Sequence, residues 1–182
     1  YKKKTHPHRN GFYMSTNHGK DFKPWSSYKS FPYQWSALTD AAAVDMRSPK
    51  EKRTIWIAVP SGIFRSDDGG RKWTCLNDNI AKSFGAKLPQ ANDWKAGNKF
   101  AGVFARSRLD PVNSKIVYAH LLRRSNKKAV DQPLAPIIKS VDGGKTWQEV
   151  VSPVKSCPAF EVSPLDPRRL YAADNTKGLF RS

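Results

Sequence analysis

Short apolar runs, each closed by a polar turn, recur along the chain in a fixed order. Ala41-Ala42-Ala43-Val44-Asp45-Met46 reads as a small-residue strand, and residues 47–53 as a charged turn. Thr54-Ile55-Trp56-Ile57-Ala58-Val59 is a second strand, Gly62 to Ser66 a third and Lys72 to Leu76 a fourth. The order returns as Gly102-Val103-Phe104-Ala105, Lys115-Ile116-Val117-Tyr118-Ala119, the strand around Ile137 and the strand at Trp147. It returns again as Ala159-Phe160-Glu161-Val162, Leu170-Tyr171-Ala172-Ala173 and Gly178-Leu179-Phe180-Arg181. Two anchors travel with the repeat. Asp-Pro (Asp110-Pro111, Asp166-Pro167) stands between the first and second strands, and an aromatic followed by Ala lies in the second.

Between the third and fourth strands one octapeptide recurs. Ser140-Val141-Asp142-Gly143-Gly144-Lys145-Thr146-Trp147 has a near-copy from Ser66 to Trp73, through Asp68 and Gly70. A worn copy runs from Ser15 to Phe22, through Asn17 and Gly19. Ser and Asp bond the backbone of a tight turn, Gly supplies a positive φ, and the aromatic opens the returning strand. Each copy predicts a β-hairpin stapled by its own side chains.

Three such turns, each after a strand, resemble the Asp-box or BNR repeat of sialidase-like, sortilin-like and related glycosidase β-propellers. The wording of the repeats is closer to xyloglucanase-type endoglucanases and to sortilin-like or photosystem-assembly propellers. The resemblance implies an all-β fold of four-stranded propeller blades, with the Asp-box as a structural turn set away from the active centre. It does not extend to sialidase chemistry, because the Arg-Ile-Pro signature is absent and no set of three arginines matches by motif. No endoglucanase catalytic aspartate matches by position, and fold alone does not assign function.

The expected organisation is a basic tail (1–10), a hairpin with an aromatic loop (11–35) and a second blade with an insertion between its fourth strand and the next blade (36–99). A third blade with a long loop between its second and third strands (100–156) and three strands of a fourth (157–182) complete it. Between turn serines, Ser140 to Ser182 fits a bare blade of about 40–50 residues, and Ser66 to Ser140 carries insertions. About three blades fall short of the four to eight of a closed propeller. An incomplete propeller is therefore expected: a fragment, or a part completed by another chain or another copy, with a self-capped open stack as the alternative.

The 182-residue chain has 38% apolar and 12% aromatic residues, with 13 Pro and 11 Gly, which suits a turn-rich β domain and excludes wholesale disorder. No run of about 18 apolar residues is present to span a membrane. Tyr1 opens the sequence without a leader pattern, as a mature or trimmed product would, and the expected compartment is secreted or extracytoplasmic. Cys75 and Cys157 lack metal spacing, and either a disulfide or two thiols is open to them. No cofactor and no metal site are expected.

A net charge of +17 points to a polyanionic partner: an acidic glycan, an acidic protein surface, an anionic membrane or nucleic acid. In an up-and-down blade, the first-to-second and third-to-fourth turns share one side. The remaining connections fall on the other, which receives the loops 23–35, 77–99 and 120–135. These loops carry Trp25, Trp35 and Trp94 beside Arg123, Arg124, Lys127 and Lys128, a pairing that suits sugars with acidic groups or bases with phosphates. Otherwise the rings pack the loops down and the cations merely solvate them. A glycosidase needs two carboxyls about 5–5.5 Å or about 6.5–9.5 Å apart. Asp40 and Asp174 are the candidate pair, with Glu161 on an inner strand a weaker choice and turn-capping the alternative role. The expected function is a binding or assembly module using this basic, aromatic face, with a glycoside hydrolase and a nucleic-acid binder as the rivals.

Overall fold

The computed structural model describes residues 13–15, 17–24, 42–59, 62–84, 102–123, 137–154, 159–174 and 176–182. A two-stranded hairpin pairs β1 (Tyr13–Met14) with β2 (Lys23–Pro24). The second blade is an antiparallel sheet of β3 (Ala42–Asp45), β4 (Thr54–Val59), β5 (Gly62–Ser66) and β6 (Thr74–Cys75), in that order. The third repeats it with β7 (Gly102–Leu109), β8 (Val117–Arg123), β9 (Ile137–Ser140) and β10 (Gln148–Glu149). The fourth comprises β11 (Ala159–Val162), β12 (Leu170–Asp174) and β13 (Gly178–Arg181). Among the described residues the protein is thus all-β apart from one short α-helix and a 3-10 turn at Lys50–Lys52, built of propeller blades that do not close a ring there. No helix there is long and apolar enough to cross a membrane.

The blades stack face to face, which explains why their central strands are apolar without alternation. In β4, Ile55, Trp56, Ile57 and Ala58 are all buried, and the two-residue period decides only which neighbour each meets. Trp56 and Ala58 join Ile63 and Leu76 against Val117, Ala119, Ile138 and Trp147 of the third blade. Ile55 and Ile57 turn the other way, with Phe64. Between the third and fourth blades, Tyr118 and Ile137 meet Phe160, Val162 and Ala172. Full burial of an Ile such as Ile63 or Ile138 stabilises by about 1.5–3 kcal/mol over exposure.

Three details differ from the sequence reading. A helix, α1 (Asn77–Phe84), follows β6, where only an insertion was expected. Ile80 is fully buried in the joint between second and third blades, and Phe84, one turn on, packs beside it. Asn77 accepts from Ile63 N at 3.2 Å and occupies the space beside Gly62, where an added Cβ would lie 2.1 Å from its Oδ1. Second, β8 runs through His120 to Arg123, so His120 does not open the loop. It is buried, edge-on to Phe160 with ring centroids 6.1 Å apart. Third, the two Asp-Pro anchors lie between the expected strands but are out of register. Asp110 directly follows β7 and bridges to Ile116, the place that Ser163 takes by bridging to Arg169. Asp166 instead starts the next turn, accepting from Arg169 N as Asn113 O accepts from Ile116 N. A tight turn needs a side-chain acceptor, and either position supplies one.

Gly19 and Gly144 occupy the same turn position with positive φ (82° and 87°), but their surroundings differ. A Cβ on Gly144 would meet Leu76 Cδ1 at 2.8 Å and the Trp56 ring at 3.0 Å, whereas at Gly19 it would meet nothing within 4 Å among the described residues. Gly19→Ala should therefore cost about 1 kcal/mol of backbone strain, and Gly144→Ala about 3 kcal/mol through added overpacking. Denaturant titration of the two variants measures the difference.

Candidate functional site

Strand polarity sets two opposite sides. The turns of residues 67–73 and 141–147 close β5–β6 and β9–β10 on one side, where they meet the turns entering β4 and β8. Gly69 N donates to Arg53 O at 3.0 Å, and Gly143 N to Lys115 O at 2.9 Å. In the fourth blade, Ser182 N donates to Leu170 O at 3.0 Å on the same side. The ends of β4, β8 and β12 point to the opposite side, the candidate functional face.

The serine-headed turns are self-contained networks. Ser140 Oγ donates to Asp142 Oδ1 at 2.8 Å and accepts from Gly144 N at 2.8 Å. Asp142 Oδ1 accepts from Lys145 N and Thr146 N, and its Oδ2 from the Thr146 hydroxyl at 2.6 Å. Ser66 and Asp68 repeat this with Gly70 N, Arg71 N and Lys72 N. Ser15 and Asn17 keep the serine half, through Gly19 N, while Asn17 Oδ1 accepts one amide, Asp21 N at 3.1 Å. His18 takes a positive φ of 57° where the other copies have Gly. Burial pushes the Asp142 carboxyl up, but the Thr146 hydroxyl and amide, Ser140 and Lys145 N outweigh it and bring the pKa from 3.8 to about 2. Asp68 is lowered too, despite burial, by Lys72 N, Ser66 and Arg71 N, without a hydroxyl at residue 72.

The third-blade turn also forms the joint to the second blade. Gly144 O accepts from Asn79 Nδ2 at 3.0 Å and Trp147 Nε1 at 3.2 Å. Gly143 O accepts from Arg65 Nη1 at 2.7 Å, and Trp147 N donates to Ser83 Oγ at 3.0 Å. Trp147 is buried in this joint, Trp73 packs on the other face of the second blade, and Phe22 is exposed. Arg65 also stands 5.2 Å over the Trp56 ring, and Lys139 5.3 Å over Tyr118. Asn79 and Ser83 were not singled out in the sequence because the helix was not expected. The joint role of Arg65 did have a signal, in the cation directly before Ser66, Ser140 and Ser182 (Arg65, Lys139 and Arg181), where Ser15 has Met14.

On the candidate face, Asp174 is buried at the end of β12. Its Oδ1 accepts from Thr176 N, the Thr176 hydroxyl and Lys177 N, which is how a turn cap is held. Asp40 lies outside the described residues, so no separation is defined for the pair. Trp25, Trp35, Trp94, Arg124, Lys127 and Lys128 lie outside them as well, and Arg123 ends β8 on this side. Glu161 is exposed and pairs with Arg108 Nε at 2.7 Å, joining the inner strands of neighbouring blades. The placement of the 77–99 segment is corrected in part. It leaves from the functional side, yet α1 folds back to reach Gly144 and Trp147. Cys75 packs on the Ile55–Phe64 cluster, and Cys157 lies outside the described residues. Among the described residues no three His, Cys, Asp or Glu side chains gather into a metal site.

No protein-family model matches the sequence, and no curated protein matches it. Among solved structures, the chain is similar to an ancestral GH74 enzyme, with a TM-score of 0.53 and 16% identity over 94% of this chain. YCF48 from Cyanidioschyzon merolae aligns over 80% of this chain and 38% of its own, with 12% identity and a TM-score of 0.45. The GH74 xyloglucanase from Xanthomonas campestris aligns over 94% and 33%, with 14% identity and a TM-score of 0.40. The chain spans 20% of the length of the ancestral enzyme, and that likeness is one of fold, an incomplete β-propeller.

Replacing Asp142 by Ala removes acceptors for two amides and two hydroxyls and should cost about 4 kcal/mol of stability, at about 1 kcal/mol per bond. A depressed carboxyl stabilises fully above its unfolded pKa of 3.8, and that contribution is lost as pH falls through about 2. The melting temperature should therefore drop between about pH 4 and pH 2. Thr146→Val should flatten that dependence, as followed by circular dichroism.

Proposed function

We propose that this chain is an Asp-box β-propeller portion acting, in a secreted or extracytoplasmic setting, as a binding or assembly module. Its ligand is an acidic glycan or an acidic protein surface, held on the face opposite the serine-headed turns. The observation that carries the reading is the division of labour between the two sides. The turn side is consumed by its own hydrogen bonds: Asp68 and Asp142 are capped, and Gly143 and Gly144 are packed into the joint. The opposite side is where β4, β8 and β12 end, with Arg123 closing β8, in a chain with net charge +17. Cations on rigid strand ends attract polyanions, and neighbouring rings stack on sugars. In this reading Arg123, Arg124, Lys127 and Lys128 contact acidic groups, and Trp25, Trp35 and Trp94 supply the stacking surfaces.

A second reading, favoured by the likeness to a GH74 enzyme, makes the chain a contributor of blades to a carbohydrate-cleaving cleft. Asp40 and Asp174 would then act as acid and base. The turn-capping bonds of Asp174 weigh toward the binding role.

Titration with a carboxylated polysaccharide, with neutral xyloglucan and with single-stranded nucleic acid separates the readings. The binding role predicts affinity for the acidic polymer that falls with salt and drops at least tenfold in the Arg123→Glu, Lys127→Glu double variant. Unchanged binding in that variant overturns it. Turnover of xyloglucan that disappears in Asp174→Asn with binding retained establishes the hydrolase. Preference for nucleic acid over the acidic glycan, with the steep salt slope of phosphate contacts, moves the assignment to the third class.

A further inference from the structure

The turns that link first to second strands in the third and fourth blades share one design. Asp110 N and Ser163 N donate to Ile116 O and Arg169 O, and the amides of those two residues donate back to Asn113 O and Asp166 O. That register makes Val112 the counterpart of Leu165, each directly after a proline, and Lys115 the counterpart of Arg168, three residues further on. Neither apolar side chain is required by its turn, which is held by backbone groups and by the Asp110 carboxylate or the Ser163 hydroxyl. In the third blade the serine-headed turn adds a second valine and lysine. Gly143 N bonds Lys115 O at 2.9 Å, so Val141 and Lys145 share this end of the blade with Val112 and Lys115. Among the described residues Val112 is 54% exposed and Val141 50%. The third blade stands between the described second and fourth blades, so neither valine is uncovered for want of a neighbour.

Single apolar side chains on a surface need no explanation, but apolar tips that recur beside cations do. A soluble polyanion engages the lysines and leaves the valines in water. A bilayer offers phosphates to the lysines and, just beneath them, an apolar layer to the valines. The amides of the serine-headed turn are already consumed, which leaves its side chains to make the contact. We propose that the side carrying these turns docks on an anionic lipid surface. Val112 and Val141 enter between the headgroups, and Lys115 and Lys145 meet their phosphates. Leu165 and Arg168 continue the contact in the fourth blade, where Arg168 stays exposed although it pairs with Asp166 at 3.0 Å. A protein held this way turns its opposite side to the solvent, so the inference goes beyond the ligand reading and uses none of its residues.

Co-sedimentation of the full chain with vesicles of phosphatidylcholine, alone or with phosphatidylglycerol added, is the test. The parent should bind the anionic vesicles and leave the neutral ones. The Lys115→Glu, Lys145→Glu double variant should lose at least tenfold in affinity for them. Val112→Ser with Val141→Ser keeps the net charge and should lose at least fivefold, because its tips gain nothing from the apolar layer. Melting curves of both double variants should match that of the parent, as expected at exposed positions. Arg123→Glu with Lys127→Glu, which tests the ligand face, should bind vesicles like the parent, and excess carboxylated polysaccharide should not displace them. Absence of binding to the anionic vesicles overturns the proposal. So does a valine variant that binds like the parent, which marks a patch for soluble polyanions instead. Loss of vesicle binding in the Arg123→Glu, Lys127→Glu variant overturns it too, by moving the contact to the opposite face.

Discussion

The stack depends on a two-residue turn lodged in a neighbouring blade. Gly143 and Gly144 present successive carbonyls that accept from Arg65, Asn79 and Trp147, and their lack of side chains lets Trp56 and Leu76 approach to contact. Nothing larger than glycine fits there, and an L side chain rarely adopts that φ. The turn can be presented this way because Ser140 and Asp142 satisfy its amides internally, leaving its carbonyls for the neighbour. The repeat thus stiffens its own hairpin and joins one blade to another.

This arrangement also separates structure from function. An aspartate that caps amides and is held near pKa 2 has little proton-transfer use near neutral pH. Asp68 and Asp142, the acids of the repeated turn, are spent on geometry. What the turns leave for recognition, in the proposed reading, is the opposite side, where β4, β8 and β12 end. The likeness to a GH74 enzyme is one of fold, and by itself it assigns no chemistry.

Much of the fold was legible because the physical signals are local. The serine, aspartate and glycine of each turn sit where a tight hairpin demands an acceptor or a positive φ, and β4, β8 and β12 announce themselves by β-branched and aromatic runs. Long-range requirements were less visible. The eight residues of α1 form a helix because Ile80 and Phe84 find the joint between two blades, and that partner lies far away in sequence. Asp110 and Asp166 shared a motif yet serve successive turns, since a single-residue acceptor is interchangeable between them. For the candidate site, the side on which β4, β8 and β12 end followed from strand order. Asp174 is held as a turn cap, and its bonds to Thr176 and Lys177 could not be told from a catalytic placement without coordinates.

Amide hydrogen exchange with and without a carboxylated polysaccharide tests the central claim, that binding lies opposite the serine-headed turns. The account predicts added protection at the end of β8, in residues 124–128 and in the turn of residues 175–177, with exchange at 66–73 and 140–147 unchanged. Protection confined to those two turns, with none at the end of β8, would contradict it.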